Sequence, residues 1–359
     1  MPRAEHDEGA RILGICNACR YCEGYCAVFP AMERRLSFPH ADLNYLANLC
    51  HNCGECLYAC QYAPPHEFAV NVPQTLARIR GASYRDYAWP GVLSGAFARN
   101  GLLVALALVL TLAGFLGGTA WVLGPGLTHA VPGGDFYRIL PHEIMADSFG
   151  AVFLFAVVAI GVGCRRFWRD GDPASPAPGL IPGFIDALTL KNLYGGGAGC
   201  TYPERARAPW RRRFHHLTFY GVLCCFAATC VGTVYHYLLG WHAPYHYLSL
   251  PVVLGTLGGV ALLAGVTGLY MLKGGRDPDM VDTAQDGMDT AFIALLWLIS
   301  STGLILLAVR ETAAMGVVLL IHLAAVMALF LTLPYGRFVH GIYRAAALIQ
   351  NGTEAQRPQ

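Results

Sequence analysis

Eight of the chain's 13 cysteines fall between Cys16 and Cys60, in two copies of one spacing. CNACRYCEGYC supplies Cys16, Cys19, Cys22 and Cys26, and CHNCGECLYAC supplies Cys50, Cys53, Cys56 and Cys60. Both read C-x2-C-x2-C-x3-C. Three thiolates, each two residues from the next, can wrap three corners of one 4Fe–4S cube. A more distant thiolate must close the fourth corner, and in this spacing the fourth cysteine of each run serves the other cube. Two copies predict two 4Fe–4S clusters held close together, which suits one-electron hopping. Thiolate also suits zinc, but zinc ribbons use short cysteine pairs set far apart. Disulfides are rare in a reducing cytosol, so metal-bound thiolates are expected.

One departure bears on the fold of this head. Proline usually follows the fourth cysteine of the run, whereas Ala27 and Gln61 stand there in this chain. The connecting piece SFPHADLNYLANLC reads as a short helix with Pro39 near its start. The head is therefore expected to resemble the all-helical dicluster ferredoxins of respiratory iron–sulfur subunits, rather than the β-rich small ferredoxins. His40, His51 and His66 could each replace a thiolate, though eight cysteines already complete two cubes.

Histidine at membrane depth is the second chemical signal. Ionisable residues inside a spanning segment are expensive and point to function, and histidine is a usual axial ligand of haem iron. RRRFHHLTFYGVLCCFAATCVGTVYHYLLGWH places His215 and His216 at one end of an apolar run and His236 near the other. His322 lies within LLIHLAAVMALF, and His340 follows that run's end. At about 1.5 Å per residue, His215 to His236 spans roughly 31 Å and His322 to His340 roughly 27 Å. If the two helices are antiparallel, His215 or His216 is level with His340, and His236 with His322. At about 100° per residue, His322 and His340 share a face, while His215 and His236 are offset by about 60° and His216 and His236 by about 160°. The expectation is haem b, one or two, held by histidine pairs near the membrane faces, with His215 the better inner ligand by angle. His142 could substitute as an outer ligand, and His242 and His246 read as surface residues.

The elements that must position these groups follow from composition. Of 359 residues, 55% are hydrophobic and 13% charged, against about 25% charged in soluble proteins. A net charge of +2 is too balanced for a protein that neutralises nucleic-acid phosphates. Six apolar runs without Asp, Glu, Lys or Arg follow: Gly101–Leu123, Ser148–Cys164, Leu217–Leu239, Tyr247–Leu272, Thr290–Val309 and Thr312–Tyr335. A bilayer core needs about 20 apolar residues in a helix; Ser148–Cys164 is short and should recruit Ile144–Asp147. Inner glycines, such as Gly114, Gly117, Gly118, Gly255, Gly258 and Gly259, are expected to let helices pack closely. One set of loops holds Arg165, Arg166, Arg169, Arg205, Arg207, Arg211, Arg212, Arg213, Lys273, Arg276, Arg337 and Arg344; the other holds Arg138 and Arg310. The basic set marks the cytoplasmic side, so both termini are expected there, in a bacterial inner membrane. No secretory signal or myristoylation site is apparent at the start. The fold expected is all-α: a dicluster head over residues 1–95, a six-helix membrane bundle over 96–345 with a cytoplasmic loop at 165–213, and a polar tail over 346–359. Within the loop, Leu180–Leu193 could lie on the membrane surface or under a partner. GGGAG at Gly195–Gly199 lacks the spacing of a dinucleotide fingerprint and reads as a turn. Cys164, Cys200, Cys224, Cys225 and Cys230 have no ligand spacing.

Taken together, the paired cysteine runs, RRRFHHLTFYG, CFAATCVGTVYHYL, LPVVLGTLGG, GMDTAFIALL and AAMGVVLLIHLAAVMALFLTLPYGRFVHGIYR resemble the tricarballylate-utilisation B, or citrate-utilisation B, membrane proteins. The membrane part is also similar to the gamma subunit of respiratory nitrate reductase, which holds haem b between helices. The resemblance implies an electron carrier with iron–sulfur clusters and b-type haem. It would reoxidise the reduced flavin of an FAD-dependent dehydrogenase and pass electrons to the quinone pool. It carries haem ligation over to His215 or His216, His236, His322 and His340. A second reading is the quinone-linked subunit of another system, such as a heterodisulfide-reductase-like or glycolate-oxidase-like complex. A third is a transporter or redox sensor with an iron–sulfur head, but the internal repeats and broken helices common in transporters are not found in the sequence.

Overall fold

The computed structural model describes residues 2–123, 127–171, 176–194 and 209–357. Arg205, Arg207, Cys200 and the GGGAG turn lie outside the described residues. Among the described residues regular structure is helical throughout, without a strand. The head consists of α1 (Pro2–Cys19), α2 (Val28–Glu33), α3 (His40–Leu49), α4 (Glu55–Tyr58) and α5 (Val72–Tyr87). The helix expected between the cysteine runs is α3, entered through an extended Pro39. Asn71 starts α5: its side-chain oxygen accepts from the Gln74 N–H at 3.1 Å, which satisfies one donor left open at a helix start. Ile12, Leu43, Leu46, Leu76 and Ile79 close the core between α1, α3 and α5.

The remaining helices are α6 (Asn100–Leu123), α7 (His142–Gly171), α8 (Ala177–Thr189), α9 (Trp210–Leu238), α10 (Leu250–Gly274), α11 (Asp286–Val309), α12 (Met315–Thr332) and α13 (Val339–Glu354). The six expected apolar runs lie on α6, α7, α9, α10, α11 and α12, which are long and apolar enough to cross a membrane. Their outward side chains are apolar, with Val109 62% and Leu110 69% exposed, a surface that suits lipid better than water. The short second run does recruit residues before it, since α7 begins at His142.

Small residues set the closest approach. On α9 and α10, a Cβ at Gly221 would stand 2.7 Å from the Leu262 nitrogen, and one at Gly258 2.9 Å from the Cys225 nitrogen. The expected role of Gly258 is therefore real. Gly114, Gly117 and Gly118 on α6 meet nothing within 4 Å, so those glycines do not serve a helix contact. α9 packs along α10, whereas α12 packs against α6, α7 and α11.

The end of the chain departs from expectation. LPYG interrupts the last span: Leu333–Tyr335 is one tight turn and Gly336 is extended, so α13 starts afresh at Val339. Residues 346–354, expected in a polar tail, belong to α13. Ala346, Ala347 and Leu348 sit in the same core as Ile12 and Ile79. The polar letters hid an amphipathic helix whose other face is Ala- and Leu-rich. Its far end is gripped by the head: Glu354 accepts from Arg35 at 2.8 Å and Asn351 from Arg34 at 2.5 Å. Tyr343 on the same helix meets Tyr84, Tyr87 and Phe167, with ring centres 5.9, 6.0 and 5.6 Å away. Head, second span and α13 thus share one core, with α1 and α13 on one side of the bundle.

α8 lies against α13 with glycine at the contact. A Cβ at Gly183 would stand 2.5 Å from the Ile349 Cα. Overpacking of this kind costs about 1–3 kcal/mol. Gly183→Ala should lower the thermal unfolding midpoint of the detergent-solubilised protein, while Gly114→Ala should not; equal effects would mean that α8 does not pack on α13.

Candidate functional site

The eight cysteines sort across the two runs rather than within them. Cys16 is acted on electrostatically by Cys60, Cys22 and Cys19, and Cys22 by Cys60 and Cys19. Cys26 is acted on by Cys53 and Cys50, and Cys56 by Cys53, Cys50 and Cys26 and, more weakly, by Cys22 of the first set. One set is therefore Cys16, Cys19, Cys22 and Cys60; the other is Cys50, Cys53, Cys56 and Cys26. Each takes three thiols from one run and the fourth from the other. The chain folds this way because α3 and α4 carry the second run back beside the first.

Several observations test whether these sets fit iron–sulfur cubes. A cavity of about 240 Å³ opens at Cys16, Cys19, Cys22 and Cys60, with Cys56 of the other set also on its wall beside Ile15, Phe29 and Val70. Backbone N–H groups aim at sulfur: those of Val28 and Phe29 at Cys26, and that of Asn52 at Cys50, 3.4 Å away. Such contacts suit sulfur bearing negative charge. Burial, then the neighbouring thiols, push Cys16 up to about 12 and Cys22 up to about 11. Thiols so placed ionise together only when bound cations accompany them. Among the described residues no three donors converge as a single zinc ion would require, whereas a cube takes each thiolate on a different iron. The residues fit the cubes. The three histidines that could have replaced a thiolate are engaged elsewhere. His51 Nδ1 is 2.9 Å from the Leu49 carbonyl, His66 Nδ1 accepts from the Phe68 N–H at 3.1 Å, and His40 stacks on His6 at 3.7 Å.

The membrane histidines separate into one facing pair and three other placements. His215 and His340 have ring centres 6.2 Å apart. Two imidazoles on opposite faces of one haem iron, each bonded at about 2 Å, stand about 6 Å apart by ring centre. His340 Nδ1–H donates to the Arg337 carbonyl at 2.5 Å, leaving Nε2 as the free ligand atom, the usual device for orienting a metal-binding imidazole. Burial, then Arg337 and Arg344, hold His340 well below the ordinary histidine range, so it carries the neutral form a metal needs. His216 turns away, with Nε2 3.1 Å from the Thr189 carbonyl on α8.

The expected meeting of His236 with His322 is not found. His236 stacks on His142 with ring centres 3.8 Å apart, and its Nδ1 is 3.1 Å from His242 Nδ1. His322 instead meets Thr302 on α11, 3.1 Å away, over Gly303. Level and angle failed here for two reasons. α9 packs on α10 rather than on α12, and the break at Leu333–Gly336 cancels any helical phase between His322 and His340.

Between the second cysteine set and the His215–His340 pair lie cations that the spacing of the sequence did not mark. Arg344 donates to the carbonyls of Asn48 at 3.2 Å and Cys50 at 2.5 Å, and Arg80 donates to the same Cys50 carbonyl at 2.9 Å. Arg211 reaches the His51 and Asn52 carbonyls at 3.0 and 2.7 Å. Arg344 is one helical turn from His340 and borders it, so one helix carries both the haem-ligand candidate and the contact to the cysteine loop. Among the described residues neither Arg80 nor Arg344 forms an ion pair with a carboxylate. In sequence Arg344 was one more basic residue beside a span, without a spacing signal to set it apart.

Comparison with known proteins agrees with this architecture. The family described as Citrate utilization protein B Fer4-like domain matches residues 9–87, and the family described as Citrate utilization protein B matches residues 96–359. The chain is 52% identical over 358 residues to Citrate utilization protein B of Escherichia coli, covering 99% of this chain and 93% of that protein. No solved structure matches it. With a cysteine-rich Fer4-like head and six membrane-length helices, the chain belongs to the Citrate utilization protein B family.

Proposed function

We propose that this chain carries electrons from the reduced flavin of an FAD-dependent dehydrogenase to quinone in a bacterial inner membrane. Both termini lie in the cytoplasm, as the basic loops favour, and the partner dehydrogenase docks on that side. The partner oxidises tricarballylate, citrate or a similar acid, a choice supported by the name of the Escherichia coli relative. The observation that carries the reading is the serial arrangement: a cysteine set at an open cavity, a second set behind it, and the His215–His340 pair beyond, joined through Arg344.

When bound, two 4Fe–4S clusters and one haem b supply one-electron redox chemistry between a two-electron flavin and a two-electron quinone. The chain's own residues do the placing. Cys16, Cys19, Cys22 and Cys60 hold the outer cluster beside the exposed Tyr21. Cys26, Cys50, Cys53 and Cys56 hold the inner one. His215 and His340 hold the haem, and His216, His236 and His322 have other work. Arg80 and Arg344 supply positive charge to the Cys50 loop, which favours the reduced, more negative state of the inner cluster.

Purified protein should contain about eight cluster irons and one haem per chain. Cys60→Ser should lose about half of that iron and the same EPR signal as Cys16→Ser, leaving the signal that Cys50→Ser removes; a match between Cys60→Ser and Cys50→Ser would refute the crossed sets. Pyridine haemochrome analysis should find His215→Ala and His340→Ala without haem, and His216→Ala, His236→Ala and His322→Ala with it. In a redox titration followed by EPR, Arg344→Gln should lower the midpoint potential of the inner cluster and leave the outer one in place. An unchanged inner potential would remove Arg344 from the electrostatic account.

A further inference from the structure

α8 presents a face that none of the described residues covers. Leu180, Ile181, Phe184 and Ile185 are each at least half exposed, with Ile181 at 71%. At about 100° per residue they occupy one side of the helix. Gly179 and Gly183 occupy the opposite side, buried on Ile349 and Thr353 of α13. The helix is amphipathic in an unusual sense, with glycine toward the protein and large apolar side chains outward.

Its height is fixed by α9. The Tyr220 hydroxyl donates to the Leu188 carbonyl at 3.0 Å, Arg212 donates to the Thr189 carbonyl at 2.9 Å, and His216 Nε2 is 3.1 Å from that same oxygen. These residues bracket the point where α9 passes from charged Arg211–Arg213 to apolar Leu217 and beyond. The end of α8 is therefore level with the boundary between water and hydrocarbon. The outward face of α9 continues the surface: Leu217, Tyr220, Leu223 and Phe226 are all exposed. Lys191 and Arg212 sit at the end of α8, where headgroup phosphates would lie, and Trp210 stands exposed beside them, as tryptophan does at membrane surfaces.

We infer that α8 is an interfacial helix whose Leu180, Ile181, Phe184 and Ile185 insert into the lipid leaflet on the head side of the membrane. The occupant is phospholipid rather than protein, because the exposed patch runs directly into the lipid-facing side of a span and its charged residues gather at the end where headgroups would lie. A helix of this kind lies in the plane of the interface with its apolar face among the acyl chains. The inference does not depend on electron transfer. It has a mechanical consequence: α8 is bound to α13 by Gly179 N–H to Thr353 Oγ1 at 3.2 Å, and to the residues just past α13 by Gln356 to the Pro178 carbonyl at 2.8 Å. The leaflet thereby steadies the helix that carries His340 and Arg344.

The test is photocrosslinking of the full chain in cell membranes, with p-benzoylphenylalanine replacing Ile181 or Phe184 in separate variants. Val109 on α6 serves as a lipid-facing control and Glu67 on the head as a water-facing control. After irradiation and purification, intact mass should rise by one phospholipid at Ile181, Phe184 and Val109, and not at Glu67. A spectrum without lipid adduct at either α8 position, beside a labelled Val109, overturns the inference. So does a protein-sized adduct at Ile181 or Phe184, which would assign the face to a partner.

Discussion

The buried guanidinium of Arg80 and the half-buried one of Arg344 meet on one backbone carbonyl, and that contact orients the head on the rest of the chain. Arg80 and Arg344 both donate to the oxygen of Cys50, and neither pairs with a described carboxylate. Burying an unpaired charge costs several kcal/mol. Burial, then Arg80, pushes Arg344 downward, but a guanidinium starts so high that it stays charged. The fold tolerates this only where negative charge is close. The thiol set around Cys50 meets that need if it carries an iron–sulfur cube, because the cube and its four thiolates are anionic. Structural cost and proposed cofactor therefore account for one another. The same contact fixes α13, since Arg344 cannot hold the Cys50 carbonyl unless the helix lies under the cysteine loop.

From α13 the other contacts follow in order along its length. His340 opens the helix and faces His215 on α9. Tyr343 enters the aromatic group of Tyr84, Tyr87 and Phe167, where head meets second span. Ile349 and Thr353 receive the glycines of α8, and Glu354 receives Arg35. The loop before α11 adds a second clamp on the head: Tyr58 donates to Asp277 at 2.8 Å, and Asn71 to the Asp279 carbonyl at 2.7 Å. These polar contacts are short-range and directional, so they fix orientation, while the shared apolar core supplies most of the adhesion.

What the sequence made legible is what depends on local spacing. The cysteine runs encode three thiols per set in a few residues each, and the fourth follows from the same rule. Membrane spans are equally local, because about 20 apolar residues in a row need no partner to be read. Pairing of histidines between helices is a different problem. It requires knowing which spans touch, and apolar surfaces facing lipid and facing protein look alike in composition. His215 and His340 could be matched by level, yet the argument from phase assumed an unbroken helix that Pro334 and Gly336 interrupt. α13 was lost because Gln350, Asn351, Thr353 and Glu354 dominate its letters, while the alanines that bury it look featureless. The outward face of α8 was visible as an apolar stretch; only its glycine contact with α13 and its ties to α9 set its height.

His322 shows why a buried membrane histidine is not by itself a ligand. The Thr302 hydroxyl donates to the Leu298 carbonyl at 2.6 Å, and its oxygen lies 3.1 Å from His322 Nδ1. That is a satisfied polar pair between α11 and α12, of the kind that joins helices in lipid. His340 has an equally engaged Nδ1, on the Arg337 carbonyl. What separates the two is the opposing group: His340 faces a second imidazole at haem-spanning distance, and His322 faces Thr302 and Gly303. The position with the strongest sequence signal, a histidine surrounded by apolar residues, is thus better explained as an interhelical hydrogen bond. Its neighbour in the original pairing, His236, finds its company in His142 and His242 at the end of the bundle away from the head, where stacking and ring-nitrogen contacts occupy it.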